Sequence, residues 1–261
     1  MNPILIAVLT VGAIGLAAGI ILVLAGKFFS VPTDEKLASL REVLPGANCG
    51  GCGYSGCDGY AAAVKDGAPC NLCSPGGEEV MQKLSALMGV EAVAAEKKTA
   101  VVRCRGTSSV SEKRFTYDGI RTCRAASLLS GGDSGCRFGC LGYGDCVASC
   151  DRNALRVIDG VARVDNALCG ACGQCASACP RSLIEIIPMG GAVSYCRNTD
   201  KGAETRKACK VGCIGCMKCE KICPNGAVKV VNFCATVDAE KCNACGLCVE
   251  ACPLKVLFIR K

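Results

Sequence analysis

Histidine and tryptophan are absent from this 261-residue chain, and aromatic side chains make up only 4% of it. The lack of His excludes Rieske centres, His-ligated haem, Cys/His zinc fingers and imidazole general bases. Acidic residues are in the minority, 23 against 30 Lys and Arg, for a formal charge of +7. What remains as chemistry is thiolate. There are 26 Cys, a density that signals disulfides or metal. Disulfide scaffolds belong to small secreted domains with too little core, whereas this length allows two or three domains with cores of their own. The Cys also come in tight runs two or three residues apart, too close to staple distant segments. Metal in a reducing compartment is the reading that fits, and all-thiolate ligation suits iron–sulfur clusters or all-Cys zinc.

The positive charge, taken alone, would suggest nucleic acid or an acidic partner. An oxidised four-iron cluster with four thiolates carries about −2, so five of them would bring the chain to roughly −3. Lys and Arg are then counter-charge to clusters, and no nucleic-acid partner is expected.

Pro3 to Gly26 contains no charged side chain and ends at Lys27. A stretch of that length can cross a bilayer as a helix. The start, Met1-Asn2-Pro3, lacks the basic region of a signal peptide, so a retained anchor over residues 1–27 is expected. Lys27, C-terminal to the apolar run, places the Cys-rich part in the cytoplasm by the positive-inside rule. Residues 34–44 read as a short amphipathic helix behind Thr33 as N-cap. Helices are also expected near 58–65 and 78–88, with a polar linker over 91–99.

From Cys123 onward a shift of 73 residues superimposes nine Cys without a gap, pairing Cys123 with Cys196, Cys136 with Cys209 and Cys179 with Cys252. This is a duplicated module. Between the Cys runs of each copy lies an alternating segment, 154–165 and 227–238. Asp159-Gly160 and Asn232 mark its turns and predict a hairpin.

Cys-x2-Cys-x2-Cys-x3-Cys-Pro occurs three times, at Cys169/Cys172/Cys175/Cys179, Cys213/Cys216/Cys219/Cys223 and Cys242/Cys245/Cys248/Cys252. Three closely spaced thiolates wrap one four-iron cube and the fourth turns to the neighbouring cluster. Structural zinc pairs two Cys from each of two separated knuckles and fits poorly. The first run, Cys136/Cys140/Cys146/Cys150, departs from the pattern: Tyr143 stands where Cys216 stands, and Asp151 replaces the proline. Cys136 is the natural substitute ligand. The expected sets are therefore Cys136, Cys140, Cys146 with Cys179; Cys169, Cys172, Cys175 with Cys150; Cys213, Cys216, Cys219 with Cys252; and Cys242, Cys245, Cys248 with Cys223. In the second copy Cys209 competes with Cys216, and Cys216 is preferred. A separate glycine-rich loop carries Cys49, Cys52 and Cys57, closed by Cys73 in preference to Cys70. Five [4Fe-4S] clusters result. Cys234 aligns with Val161 and reads as a small buried hydrophobe. Cys104, Cys123, Cys196 and Cys209 stand between bracing the modules and holding a further cluster.

The order of apolar helix, Cys-x2-Cys-Gly-Tyr-x-Gly-Cys, Cys-x-Pro-Gly-Gly and tandem ferredoxin motifs resembles the B subunit of Rnf complexes. These are membrane-bound ferredoxin:NAD+ oxidoreductases that pump sodium ions or protons. The resemblance spans nearly the whole chain and departs from the familiar pattern in having two ferredoxin modules rather than one. It implies an α+β fold: an N-terminal transmembrane helix at 1–27, a small, mostly helical four-Cys domain at 31–98, and two bacterial-type two-cluster ferredoxin modules at 99–190 and 191–261. It also implies an electron-transfer subunit of a translocase, taking electrons from soluble ferredoxin and passing them to membrane and peripheral partner subunits beside the lipid bilayer. No flavin or NAD site of its own is expected, since the glycines cluster around Cys rather than in a dinucleotide loop. The competing reading is an iron–sulfur subunit of another membrane oxidoreductase of hydrogenase or dehydrogenase type; a third is a non-redox zinc or storage protein.

Overall fold

The structure is a computed structural model that describes residues 3–28, 34–93 and 96–260. The chain forms two compact units, residues 1–39 and residues 40–261.

The first unit holds α1 (Pro3–Phe28) and the start of α2 (Glu35–Val43). At 1.5 Å per residue, α1 is about 39 Å long. Its stretch Leu9–Lys27 is long and apolar enough to cross a membrane, with Ile14, Leu16, Ile21 and Val23 all exposed. Apolar side chains surround the helix instead of forming one stripe, as expected of a segment that meets lipid. The Asp34 carboxylate accepts the backbone N–H of Lys36 and Leu37, both at 3.1 Å, and so caps α2. The expected cap, Thr33, lies outside the described residues.

The second unit opens with α3 (Cys57–Lys65) and α4 (Gly77–Met88). Tyr60, Ala61 and Val64 on α3 and Met81 and Leu84 on α4 are buried at helical spacing. Gly89, left-handed at φ 70°, ends α4. The Tyr60 hydroxyl donates to Pro69 O at 2.8 Å and accepts from Leu72 N at 3.1 Å, fixing the loop before Cys73. Burial first of all pushes the Tyr60 phenol up to about 12.

The remainder comprises β1 (Lys98–Val102), α5 (Cys123–Leu128), α6 (Asp145–Ala148), β2 (Leu155–Ile158), β3 (Val161–Val164), α7 (Gln174–Ala178), β4 (Ile184–Pro188), β5 (Ala192–Ser194), α8 (Gly202–Ala208), α9 (Lys218–Ile222), β6 (Val228–Val231), β7 (Cys234–Val237), α10 (Leu247–Glu250) and β8 (Leu257–Ile259). The strands form four antiparallel pairs: β1–β4, β2–β3, β5–β8 and β6–β7. Helix and strand content is thus mixed, in line with the α+β expectation. The polar stretch read as a linker over 91–99 is in part strand. Lys98 and Thr99 pair with Pro188 and Ile187, and Thr99 is fully buried. The partner strand lies far along the chain, so the local polarity did not reveal it.

Both expected hairpins are present with two-residue turns, Asp159-Gly160 (φ 49° and 79°) and Asn232-Phe233 (φ 46° and 60°). Two positive φ values in succession are the type I′ geometry that matches strand twist. Cys side chains belong to both cores: Cys146 and Cys175 pack with Leu155, Val161 and Leu183, and Cys219 and Cys248 with Val228, Val256 and Leu257.

The repeat needs one correction. Cys104 follows β1, which pairs with β4; Cys196 follows β5, which pairs with β8. Cys140 N donates to Cys104 Sγ at 3.4 Å, and Cys213 N donates to Cys196 Sγ at 3.3 Å. Cys104, not Cys123, is therefore the counterpart of Cys196. Cys104 to Cys136 is 32 residues and Cys196 to Cys209 is 13, so the first copy carries 19 extra residues. The gapless match of Cys123 with Cys196 is a coincidence of that insertion's length.

Candidate metal centres

The four ferredoxin-type Cys loops follow one backbone course. In the three regular motifs the residues on both sides of the middle Cys are left-handed: Ala171 and Gly173 (φ 52° and 83°), Gly215 and Met217 (66° and 61°), Ala244 and Gly246 (58° and 84°). Gly142 and Gly144 flank Tyr143 with the same geometry, 76° and 88°. The atypical loop is therefore curled like the others, with a tyrosine at a ligand position. Such curls turn backbone N–H groups inward, which favours negative charge at the centre.

The sulfurs collect N–H donors at matching places. Ala154 N, Leu183 N and Val256 N donate to Cys150, Cys179 and Cys252 at 3.3–3.5 Å. Ala100 N and Ala192 N donate to Cys169 and Cys242, at 3.4 and 3.3 Å. N–H groups on ligand sulfur hold the thiolate and tune the redox potential of a cluster.

Five thiol groupings emerge from the fields that these sulfurs exert on one another. Burial pushes Cys175 up to about 11, aided by the like charges of Cys169, Cys172 and Cys150. Burial likewise takes Cys219 to about 11, with Cys213, Cys252 and Cys216 adding to it. Cys248 is raised by burial and then by Cys242, Cys223 and Cys245. Cys73 is raised by burial and, among thiols, by Cys57, Cys52 and Cys49. Cys146 is pushed to about 12 by burial, then by Cys140, Cys123, Cys179 and, from the neighbouring grouping, Cys175. In the first four groupings the thiols lie near the partners that spacing assigned to them.

The fifth differs. Cys123, not Cys136, joins Cys140, Cys146 and Cys179, and these four line one cavity. Cys136 Sγ instead receives Asn198 Nδ2 at 3.4 Å, from the second copy. Cys123 arrives on α5, inside the insertion. Thr122 Oγ1 accepts Ala125 N at 3.1 Å, and the Asp145 carboxylate accepts Cys123 N at 2.6 Å and Arg124 N at 2.9 Å. The insertion is also held by Asp133, whose buried side chain meets Lys113 Nζ at 2.6 Å and the Tyr143 hydroxyl at 2.7 Å. Burial opposes ionisation of Asp133, but the bonds from Lys113 and Tyr143 outweigh it and hold its carboxyl below the usual range. Spacing alone did not place Cys123 beside Cys140, Cys146 and Cys179; the signal available was Tyr143, which stands where the other loops carry a Cys.

Cys234 is buried, as is its counterpart Val161. Its S–H donates to Cys196 O at 3.2 Å. The nearby Cys234 thiol is the main cause holding Cys196 and Cys213 below the usual thiol range.

These features fit four-iron clusters. The donors are thiolates alone, which iron–sulfur clusters use. Among the described residues no three or more Cys, Asp or Glu converge tightly enough for a single ion, whereas thiols of the Cys123 set and of the Cys213 set each line one small cavity of about 20 Å³.

The groupings also adjoin one another. A Cβ on Gly51 would stand 3.1 Å from Cys172 O, so the Cys49–Cys57 loop lies against the Cys169 set with only a glycine between. Arg152 Nη2 donates to Pro75 O at 2.6 Å across the same contact. Within each copy two thiols cross over, Cys150 with Cys179 or Cys223 with Cys252, each lying with the grouping of the other loop.

Comparison with known proteins agrees with this chemistry. A family described as "Putative Fe-S cluster" matches residues 44–75, and one described as "4Fe-4S binding domain" matches residues 162–185 and 235–258. The B subunit of the ion-translocating oxidoreductase complex of Methanosarcina acetivorans is 42% identical over all of both chains. The B subunit of the Na(+)-translocating ferredoxin:NAD(+) oxidoreductase complex of Acetobacterium woodii is 42% identical over 98% of this chain and 78% of that protein. The proton-translocating counterpart of Clostridium ljungdahlii is 40% identical over 97% and 91%. Likeness of this extent over whole chains, on top of the clustered thiolates, means that the chain belongs to the B-subunit family of ion-translocating (Rnf) oxidoreductase complexes, whose members are iron–sulfur electron-transfer subunits.

Proposed function

We propose that this chain takes electrons from reduced ferredoxin and passes them through [4Fe-4S] clusters to partner subunits of a ferredoxin:NAD+ oxidoreductase that moves Na+ or H+. The relatives' names carry ferredoxin, NAD(+) and ion translocation. The adjoining thiolate groupings support the relay itself. The ligand sets are Cys49, Cys52, Cys57 and Cys73; Cys123, Cys140, Cys146 and Cys179; Cys150, Cys169, Cys172 and Cys175; Cys213, Cys216, Cys219 and Cys252; and Cys223, Cys242, Cys245 and Cys248. In this reading residues 31–98 form the four-Cys domain, 99–190 and 191–261 the two ferredoxin modules, and 1–27 the membrane anchor. Lys27 favours a cytoplasmic position for the clusters.

Cys216 and Cys245 are exposed, with Lys218 and Lys221 exposed near the former. This end of the second module therefore offers ligand sulfur at the surface and positive charge for an acidic carrier. The Cys49 set, next to the anchor in the chain, is the exit. In the assembled complex, Cys52→Ala should stop ferredoxin-dependent NAD+ reduction while reduced ferredoxin still bleaches the other clusters. Normal turnover by that variant would remove the Cys49 set from the path.

A further inference from the structure

Cys104, Cys136, Cys196 and Cys209 lie outside the five sets, and the structure brings them together. All four are buried, at 7, 7, 8 and 7% exposure. Together they line one cavity of about 20 Å³, the same size as those at the Cys123 and Cys213 sites. Burial first raises Cys136, and Cys196 and Cys209 add like charge to it. An added Cβ on Gly106 would sit 3.5 Å from Cys209 Sγ and 3.6 Å from Cys104 Sγ, so these two sulfurs flank one glycine.

Every one of these sulfurs is supplied with N–H donors. Cys104 accepts from Gly106 N and Cys140 N, both at 3.4 Å. Cys196 accepts from Cys213 N at 3.3 Å and from the Asn198 backbone. Cys136 accepts from the Phe138 backbone and from Asn198 Nδ2, and Cys209 from the backbones of Val211 and Gly212. Asn198 is 1% exposed, and its side chain is aimed at Cys136 Sγ. Buried cysteines that merely filled space would need no such donors. Arg103, Arg105 and Arg197 line the same cavity and supply charge opposite to a thiolate-bound cluster.

We propose that Cys104, Cys136, Cys196 and Cys209 hold a sixth [4Fe-4S] cluster, shared equally by the two modules. Cys104 and Cys136 come from the first copy, and their structural counterparts Cys196 and Cys209 from the second. The cluster sits between modules that have no other shared ligand set among the described residues. It adjoins one site in each: the N–H of Cys140 reaches Cys104, and the N–H of Cys213 reaches Cys196. The sites then form a continuous series: the Cys49 set, the Cys169 set, the Cys123 set, the shared site, the Cys213 set and the Cys242 set. A hop through the shared site makes and breaks no bond; one cluster loses one electron and its neighbour gains it.

The inference rests on reading the other five sets as iron–sulfur sites, and iron counting separates the two ideas. Full-length chain isolated anaerobically should hold about 24 irons and 24 acid-labile sulfides. Cys209→Ala should remove about four of each and leave the remaining reduced-cluster spectrum in place. About 20 irons in the unaltered chain, with no change on Cys209→Ala, would overturn the sixth site and leave the five standing. Zinc, or far fewer than 20 irons, would instead overturn the reading of the other sets. The count on the unaltered chain decides the matter even if the variant fails to fold.

Discussion

Replacing Cys123 with Ala removes the fourth thiolate from the Cys140–Cys146–Cys179 site, and adding Tyr143→Cys to the same chain should put one back. The loop around Tyr143 has the backbone of a regular ligand loop, so a Cys there occupies the place of Cys216. The single variant should lose between one and about four irons per chain, according to whether a three-iron remnant stays. The double variant should recover them. The recovery has a cost that the structure sets. Tyr143 donates to the buried Asp133 carboxylate at 2.7 Å and packs edge-on against Tyr117 at 5.6 Å. A hydrogen bond to a charged group is worth about 1.5–3 kcal/mol and an aromatic pair about 0.5–1.5 kcal/mol. Lys113 still pairs with Asp133, so the swap should lower stability by about 2–4 kcal/mol without exposing an unpaired charge. Tyr143→Phe should show the hydroxyl's share alone. Iron and sulfide analysis and spectra of the reduced protein read the first effect, and loss of visible absorption in denaturant under anaerobic conditions reads the second. The reasoning fails if Cys123→Ala keeps its full iron, or if Tyr143→Cys rescues Cys136→Ala and not Cys123→Ala.

Arg103 joins the two modules: its guanidinium donates to Glu185 at 3.2 Å, to Ser194 O at 3.0 Å, to Cys196 O at 3.3 Å and to Ala235 O at 3.2 Å, with only 11% of the side chain exposed. Arg103→Ala should cost about 3 kcal/mol, since it strands buried carbonyls while Glu185 keeps Arg197, and a shift in denaturation below about 1 kcal/mol would refute the role; Arg103→Lys should recover only part, because an ammonium cannot reach all four. Gly142 and Gly173 make a contrasting pair. Both have positive φ, but a Cβ on Gly142 would stand 2.5 Å from Gly160 O, whereas one on Gly173 meets nothing within 4 Å. Gly173→Ala should cost about 1 kcal/mol for its backbone alone, and Gly142→Ala more than about 2 kcal/mol with loss of iron from the Cys123 site; equal effects in unfolding and iron content would refute the distinction.

The regular ligand loops were legible because their chemistry is local. A cube held by Cys172, Cys175 and their like needs thiolates two residues apart, and that spacing is written in the chain. The apolar helix and the two hairpin turns were readable for the same reason: chain length and positive-φ residues act over a few positions. Cys123 and Cys104 were not legible in this way. Sequence shift matched Cys123 to Cys196, but strand pairing assigns that place to Cys104, because β1 finds its partner in β4 across the whole module. Lys98 and Thr99 read as linker for the same cause.

By itself, then, the sequence determined that this protein carries thiolate-bound iron–sulfur clusters, in repeated local motifs, behind an apolar helix able to cross a membrane. Only the tertiary structure decided which thiolates meet across long loops. It brought Cys123 to Cys146 on an anchored insertion, and it gathered Cys104 and Cys136 with Cys196 and Cys209. The physical reason is that spacing along the chain constrains neighbours in sequence. A sulfur delivered by an insertion or by another module is placed by strand pairing, buried ion pairs and packing, and these act between residues that no local pattern connects.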